Sequence, residues 1–154
     1  MKRRFLKSLD AIVAFISLFV VADFLIPGEL YEQEVSAVKR EQQQYYNAAR
    51  NQHYSYLLIT PLHKFHASEE FASTVEVNET IVYSISQIFA EMNWYRSASE
   101  QRKSIYSLRI VSGLIIPLLT LVVTGIAFRT KKKIGTLVFV VQTIFLADLI
   151  YLSL

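Results

Sequence analysis

The sequence predicts a membrane protein with three transmembrane α-helices and a small extracytoplasmic, β-rich (α+β) domain between the first and second helix. The strongest evidence is segment 110–128, which contains no charged residue and has about the length that a helix needs to cross a bilayer. Two other apolar segments, 9–26 and 134–154, have a similar length. The region 27–109 is polar but rich in tyrosine, which indicates a folded domain rather than a disordered linker.

Composition limits what such a chain can be. With 53% hydrophobic and 19% charged residues, the 154-residue chain is too apolar for an ordinary small soluble domain and too charged for spans alone. Roughly 80 residues remain outside the spans, which is too few for a large enzyme fold. The net charge of +3 comes from two short basic clusters beside apolar spans, so we expect no nucleic-acid partner. The absence of cysteine excludes disulfides and cysteine metal sites.

Residues 1–8 form a basic amino-terminal segment, and residues 9–26 form the first predicted transmembrane helix. An alternative is a cleaved signal peptide, because Val20-Val21-Ala22 resembles a small-residue cleavage site. Length and flanking charge favour an uncleaved span. Pro27 disfavours a helical conformation at the residue before it, so the first helix should end there.

The region 27–109 is predicted to be mainly sheet. Segment 29–50 has helix-forming residues without a strong period, and we slightly favour a helix over a long strand there. Residues that suit a pleated surface predict strands at 53–60, 64–66, 75–77 and 80–89. The side chains expected to contribute to the core of this domain are Tyr56, Leu58, Ile81, Ile85, Phe89 and Trp94.

Shorter signals mark turns and helix ends in the same region. Ser68, followed by two acidic residues, is the expected N-cap of a helical turn over 68–73. Asn78 tolerates positive φ and predicts a turn before the last strand. Segment 93–109 contains both aromatic and basic residues, which predicts a helix that leads through the headgroup layer into the second span.

The basic clusters predict the orientation in the membrane. Four cations lie in segment 1–8 and four more lie in the short loop 129–133, which joins the second transmembrane helix (110–128) to the third (134–154). Lys and Arg in short loops favour the cytoplasmic side. We therefore expect a multi-pass protein of the plasma (inner) membrane, with a cytoplasmic amino terminus and loop 129–133 and an extracytoplasmic domain and carboxyl terminus.

Asp23 and Asp148 are the candidate functional residues, because a carboxylate inside a span is costly and is a functional candidate by default. At 1.5 Å per residue the two side chains should lie at about the same depth, near the outer interface. Arg109, at the outer end of the second span, should lie in the same plane and could neutralise one of them. The alternatives are an interfacial cluster that pairs or faces a partner, which we favour, and a site that handles protons or ions.

Small residues on the second span are candidates for helix packing. Ser112, Gly113 and Gly125 permit close approach of a neighbouring helix, although they do not form a GxxxG motif. Pro117 removes a backbone hydrogen bond and should kink this helix, and we expect a kink rather than a gate.

No metal, cofactor or catalytic site is predicted. His63 and His66 have a His-x-x-His spacing, but on a strand or turn their side chains should point apart rather than converge on zinc. Asn78-Glu79-Thr80 matches the N-glycosylation acceptor, a triplet that is common by chance. No nucleophile, phosphate-binding or dinucleotide motif is present in the sequence.

Size and architecture favour a non-catalytic accessory or assembly subunit of a larger membrane protein complex. Its expected partners are the lipid bilayer and other membrane protein subunits, bound through the transmembrane helices and the extracytoplasmic domain. The alternative is a small homo-oligomeric transporter or channel, or a ligand-sensing membrane protein, that uses Asp23 and Asp148.

Overall fold

The computed structural model describes residues 2–44, 52–129 and 134–153. Residues 130–133 of the predicted loop and residues 45–51, at the end of segment 29–50, lie outside the described part. The chain divides into two compact units. We call them the helical unit (Met1–Pro27, Ser86–Glu91 and Leu108–Leu154) and the β-sheet unit (Gly28–Ile85 and Met92–Ser107).

Three helices of the helical unit are long and apolar enough to span a membrane. They are the first long helix Lys2–Leu25, the central long helix Ser107–Arg129 and the third long helix Gly135–Leu152. The prediction of three apolar spans, with a small β-sheet region between the first two, is therefore confirmed.

Packing in the helical unit follows from the spacing of the buried side chains. On the third long helix these are Val138, Val141, Phe145, Asp148 and Leu152. The alternating steps of three and four residues place them on one seam of the helix. Phe145 and Leu152 pack in one cluster with Val13 and Val20 of the first long helix, and Val138 and Val141 pack with Val123 of the central long helix. Asp148 is the one charged residue on this seam.

The β-sheet unit contains two antiparallel three-stranded sheets. The six strands are β1 (Glu29–Glu34), β2 (Ala37–Gln44), β3 (Gln52–Ile59), β4 (Lys64–Ala67), β5 (Thr80–Ile85) and β6 (Met92–Ser97). One sheet has the order β1-β5-β6 and the other has the order β2-β3-β4. A row of tyrosines, Tyr31, Tyr83 and Tyr95, crosses the first sheet in register.

The core of the β-sheet unit lies between these sheets. Phe65 of the second sheet packs 5.3 Å from the Tyr83 ring and 5.8 Å from the Tyr95 ring, measured between ring centroids. Ile81 and Ile85 are buried, which confirms the prediction that they contribute to the core, and Tyr83 between them is buried as well. Gly28 precedes β1 at a point of close approach, because a Cβ atom there would lie 1.9 Å from the Ile85 carbonyl oxygen.

Local signals within the β-sheet unit are confirmed at two positions. The short helix Glu69–Thr74 begins after Ser68, whose side-chain oxygen accepts a hydrogen bond from the Phe71 N–H. Asn78 has a φ of 71°, the left-handed conformation expected of the turn before β5.

Several predicted elements are wrong. The slightly favoured helix over 29–50 is replaced by β1 and β2, because β5 and β3 supply hydrogen-bond partners that local helix propensity cannot outweigh. Residues 75–77 form no strand. The helix predicted over 93–109 begins only at Ser107, because Met92–Ser97 pairs with β5 as β6. Two expected core residues also differ: Trp94 is only partly buried, and Phe89 packs in the helical unit.

Candidate functional site

The first long helix positions Asp23 at its last turn. The helix runs to Leu25 and stops before Pro27, in agreement with the restriction that proline imposes on the preceding residue. Asp23 is 3% exposed, so its carboxylate is removed from solvent. A buried carboxylate is costly unless it is paired and hydrogen-bonded.

Arg109 supplies the opposite charge. Its Nη2 donates to Asp23 Oδ2 at 3.2 Å, and both side chains are almost fully buried. The guanidinium carbon also lies 5.5 Å from the centre of the Phe24 ring. A planar cation over an aromatic face gains electrostatic stabilisation, so Phe24 helps to hold the guanidinium beside Asp23.

The second oxygen of Asp23 accepts a hydrogen bond from a turn that is remote in sequence. The Ile88 N–H donates to Asp23 Oδ1 at 3.0 Å. The turn Ser86–Glu91 is closed by the Ser86 N–H, which donates to the Glu91 carbonyl at 2.8 Å, and by the Glu91 N–H, which donates to Ser86 Oγ at 3.1 Å. Ala90 has a φ of 54°, which lets the backbone reverse within so few residues. Both oxygens of Asp23 are therefore engaged.

The central long helix carries Arg109 in its first turn, before a local change in helical geometry. Residues Val111–Ile115 form a π-helical turn, in which the Ile116 N–H donates to the Val111 carbonyl. Pro117 follows directly, and the missing N–H and bulky ring of proline disturb hydrogen bonding in the preceding turn of a helix. A widened turn therefore lies directly on the amino-terminal side of Pro117, and the kink expected there stays a prediction.

The predicted packing residues differ in what they contact. A Cβ atom on Gly113 would lie 2.6 Å from Cδ2 of Phe24, so only glycine allows this approach to the first long helix. Ser112 and Pro117 are buried, and Ser112 Oγ donates to the Leu108 carbonyl at 3.0 Å. Gly125 is exposed, and a Cβ atom there would meet nothing within 4 Å.

Asp148 is the third charged residue of this site, and its hydrogen bonding differs from that of Asp23. It is 8% exposed, and among the residues that the structure describes its Oδ2 atom has no hydrogen-bond partner. Arg109 lies within electrostatic range of it. Asp23 and Arg109 therefore form a direct ion pair, and Asp148 lies within electrostatic range of the same guanidinium. We call these three residues the Asp23–Arg109–Asp148 group.

A second polar contact lies elsewhere in the helical unit. Gln142 Nε2 donates to Asp10 Oδ1 at 2.9 Å and so links the third and first long helices. Among the buried hydroxyl groups, Ser17 and Thr120 bond to carbonyls of their own helices, as is usual in apolar surroundings. The Asp10–Gln142 pair was not predicted, although both residues are polar positions inside apolar segments.

His63 and His66 of the β-sheet unit have aromatic and hydroxyl partners. His63 Nδ1 lies 2.9 Å from the Tyr83 hydroxyl, and the His66 ring stacks on Tyr106 at 5.9 Å. The Tyr83 hydroxyl also donates to Gln33 Oε1 at 3.1 Å. Burial raises the pKa of Tyr83, and its hydrogen bond to Thr60 partly opposes that rise. Within the described ranges, no three potential ligands are grouped in a way that could hold a metal ion.

Chemically, the Asp23–Arg109–Asp148 group can hold charge in an apolar environment and can exchange hydrogen bonds. Sequence reasoning identified its three charged members, but it missed Phe24 and the Ile88 N–H, because neither an ordinary apolar residue nor a backbone amide carries a sequence signal.

A scan against known protein families and searches of curated proteins and of solved structures found no match to this chain.

Proposed function

We propose that the chain is a non-catalytic accessory or assembly subunit of a larger membrane protein complex. The observation that carries this proposal is the pairing of Asp23. Both of its oxygens are used inside the helical unit, by the Arg109 guanidinium and the Ile88 N–H. A carboxylate held in this way stabilises a helix arrangement, whereas an ion pathway requires groups that release their partners.

The outer surfaces of the long helices supply the area for partners. Only 28%, 33% and 28% of the three candidate spans is buried within the chain, so most of each span is left for lipid or for other helices. Gly125 lies on this outward surface of the central long helix and leaves room for a close helix approach. We propose other membrane protein subunits as the partners at these surfaces.

The proposal includes the orientation expected from charge. Basic residues in segment 1–8 and in loop 129–133 favour the cytoplasmic side of a plasma (inner) membrane. The β-sheet unit and the carboxyl terminus then lie on the extracytoplasmic side. A reporter that is active only outside the cytoplasm should work after Leu154 or near Arg50 and should fail at Lys132. Activity at Lys132 would contradict this topology.

Purification in mild detergent tests the subunit role. A tagged chain should co-purify with a different membrane protein in a fixed ratio. The variant Gly125→Leu should reduce that yield without destabilising the chain, because a Cβ atom at this position meets nothing within 4 Å. Val122→Leu, on the same helix and already bulky and exposed, is the matched control. A chain that purifies only with copies of itself would contradict the proposal.

One observation favours the alternative of an oligomeric transporter, channel or ligand-sensing protein. The buried Asp148 Oδ2 has no hydrogen-bond partner among the described residues, and such an atom suits transient binding of a proton or cation. Ion flux into liposomes separates the two functions. The alternative expects Asp148→Asn to lower flux while assembly is retained, whereas the subunit proposal expects no flux from the parent chain.

A further inference from the structure

The turn Ser86–Glu91 has the side-chain pattern of a segment at a membrane boundary. Phe89 is partly buried and packs against the apolar cluster that joins the first and third long helices. Ile88 is 49% exposed beside it, and Gln87 is also exposed. Within the turn, Phe89 therefore packs against the helices, whereas Ile88 faces the surroundings of the helical unit.

Three backbone amides of this turn have hydrogen-bond partners within the protein. Non-helical backbone is tolerated at membrane depth only where its polar groups find partners in the protein. The Ser86 and Glu91 N–H groups are bonded within the turn, and the Ile88 N–H donates to Asp23. The amides that close and anchor the turn therefore need no water.

Exposed apolar side chains are found at the helix ends as well as in the turn. Leu25 is 64% exposed and Ile26 is 53% exposed at the end of the first long helix, and Leu108 is 46% exposed at the start of the central long helix. Ile88 lies at the same end of the helical unit, because its own N–H is bonded to Asp23. Acyl chains that cover these helix ends would also cover Ile88. The polar Gln87 is incompatible with the bilayer centre and suits the headgroup layer.

We propose that the turn Ser86–Glu91 is inserted into the membrane at the boundary between acyl chains and headgroups, with Ile88 in contact with lipid. The turn then gives the protein a fourth point of membrane contact besides the three spans. Its occupant is the acyl region of the lipid, with no selectivity for a headgroup. This proposal does not depend on the subunit role.

Site-directed spin labelling tests the depth of the turn, and the absence of cysteine makes single-cysteine variants straightforward. The variants are Ile88→Cys and Gln87→Cys, each labelled in the full chain in phosphatidylcholine vesicles. Phe15→Cys, exposed on the first long helix, gives the value for lipid, and Leu62→Cys, exposed on the β-sheet unit, gives the value for water. The measured quantity is the ratio of collisions with oxygen to collisions with a water-soluble nickel chelate.

We expect the ratio at position 88 to exceed the ratio at position 62 and to approach that at position 15. The ratio at position 87 should lie between those at 88 and 62. If Ile88→Cys fails to fold, the label at the exposed position 87 decides the question alone. Ratios at both positions equal to that at 62 would overturn the proposal. Low accessibility to both reagents would also overturn it, since a protein surface would then cover the turn.

Discussion

Neutralising Arg109 should destabilise the helical unit more than neutralising either carboxylate. Arg109→Met removes the one cation of the group. The two carboxylates that remain, Asp23 at 3% exposure and Asp148 at 8% exposure, are then buried without an opposite charge from this group. Asp23→Asn keeps an oxygen for the Ile88 N–H and leaves Arg109 near Asp148. Asp148→Asn removes the negative charge of this side chain. No hydrogen-bond donor within the described chain contacts Asp148 Oδ2, so no such bond is lost.

The burial and the contacts of these three side chains determine how much unfolding free energy each variant should lose. Removing one partner of a buried ion pair costs about 3–5 kcal/mol, and we expect that cost for Arg109→Met. Losing a hydrogen bond to a charged group costs about 1.5–3 kcal/mol, the range expected for Asp23→Asn. Asp148→Asn should cost less than about 1 kcal/mol, because no hydrogen bond to Oδ2 is lost.

The assay is unfolding of the purified chain in mixed micelles, followed by far-ultraviolet circular dichroism, since the long helices dominate that signal. The double variant Arg109→Met/Asp23→Asn should be more stable than the sum of the single losses predicts, by about 0.5–3 kcal/mol, because the two sites are in contact. Equal losses for Arg109→Met and Asp148→Asn, or strict additivity in the double variant, would refute the reasoning.

Three further predictions concern packing, a titrating tyrosine and a strand pairing. Gly113→Ala should cost about 1–3 kcal/mol in the same unfolding assay, because the added methyl group would overlap the Phe24 ring. Gly125→Ala should be neutral or stabilising by up to about 1 kcal/mol, and equal effects of the two variants would contradict this packing. The stability of the β-sheet unit, followed by fluorescence of the single tryptophan, should fall as the pH rises above about 10, since unfolded tyrosine then loses its proton while folded Tyr83, with its raised pKa, retains it. Tyr83→Phe should flatten this alkaline loss, and an unchanged slope would exclude Tyr83 as its source. A fragment 28–107 should unfold at a higher denaturant concentration than a fragment 28–101, because only the longer one retains the pairing of β6 with Ser104; coincident unfolding curves would show that this pairing contributes nothing.

Strand pairing explains the errors in the predicted secondary structure. Segment 29–50 is rich in Glu and Gln, and its local composition does not resemble a strand. Glu29–Glu34 nevertheless pair in register with β5, and Ala37–Gln44 pair with β3. Hydrogen bonds to distant segments outweigh the weak local preference for helix, and no local window contains that information. The same reason applies to β6, whose residues were predicted to be helical.

The tertiary structure also determines which of the two apolar clusters a given residue joins. Phe89 follows β5 and was expected to pack with Ile81 and Ile85 in the β-sheet unit. It lies instead in the turn Ser86–Glu91, which belongs to the helical unit. Hydrophobicity predicts that such a side chain is buried, but it does not distinguish between two apolar clusters.

Local composition determined that three segments are long and apolar enough for a membrane, that Ser68 caps a short helix and that Ile81 and Ile85 lie in a core. Each of these depends on residues within a few positions of one another, where periodicity and hydrogen-bonding chemistry can be read directly. The tertiary structure alone decided how the buried charges are satisfied. Asp23 finds its partners 65 and 86 residues away, in Ile88 and Arg109, because the free energy of a buried carboxylate depends on which donors the completed fold places around it.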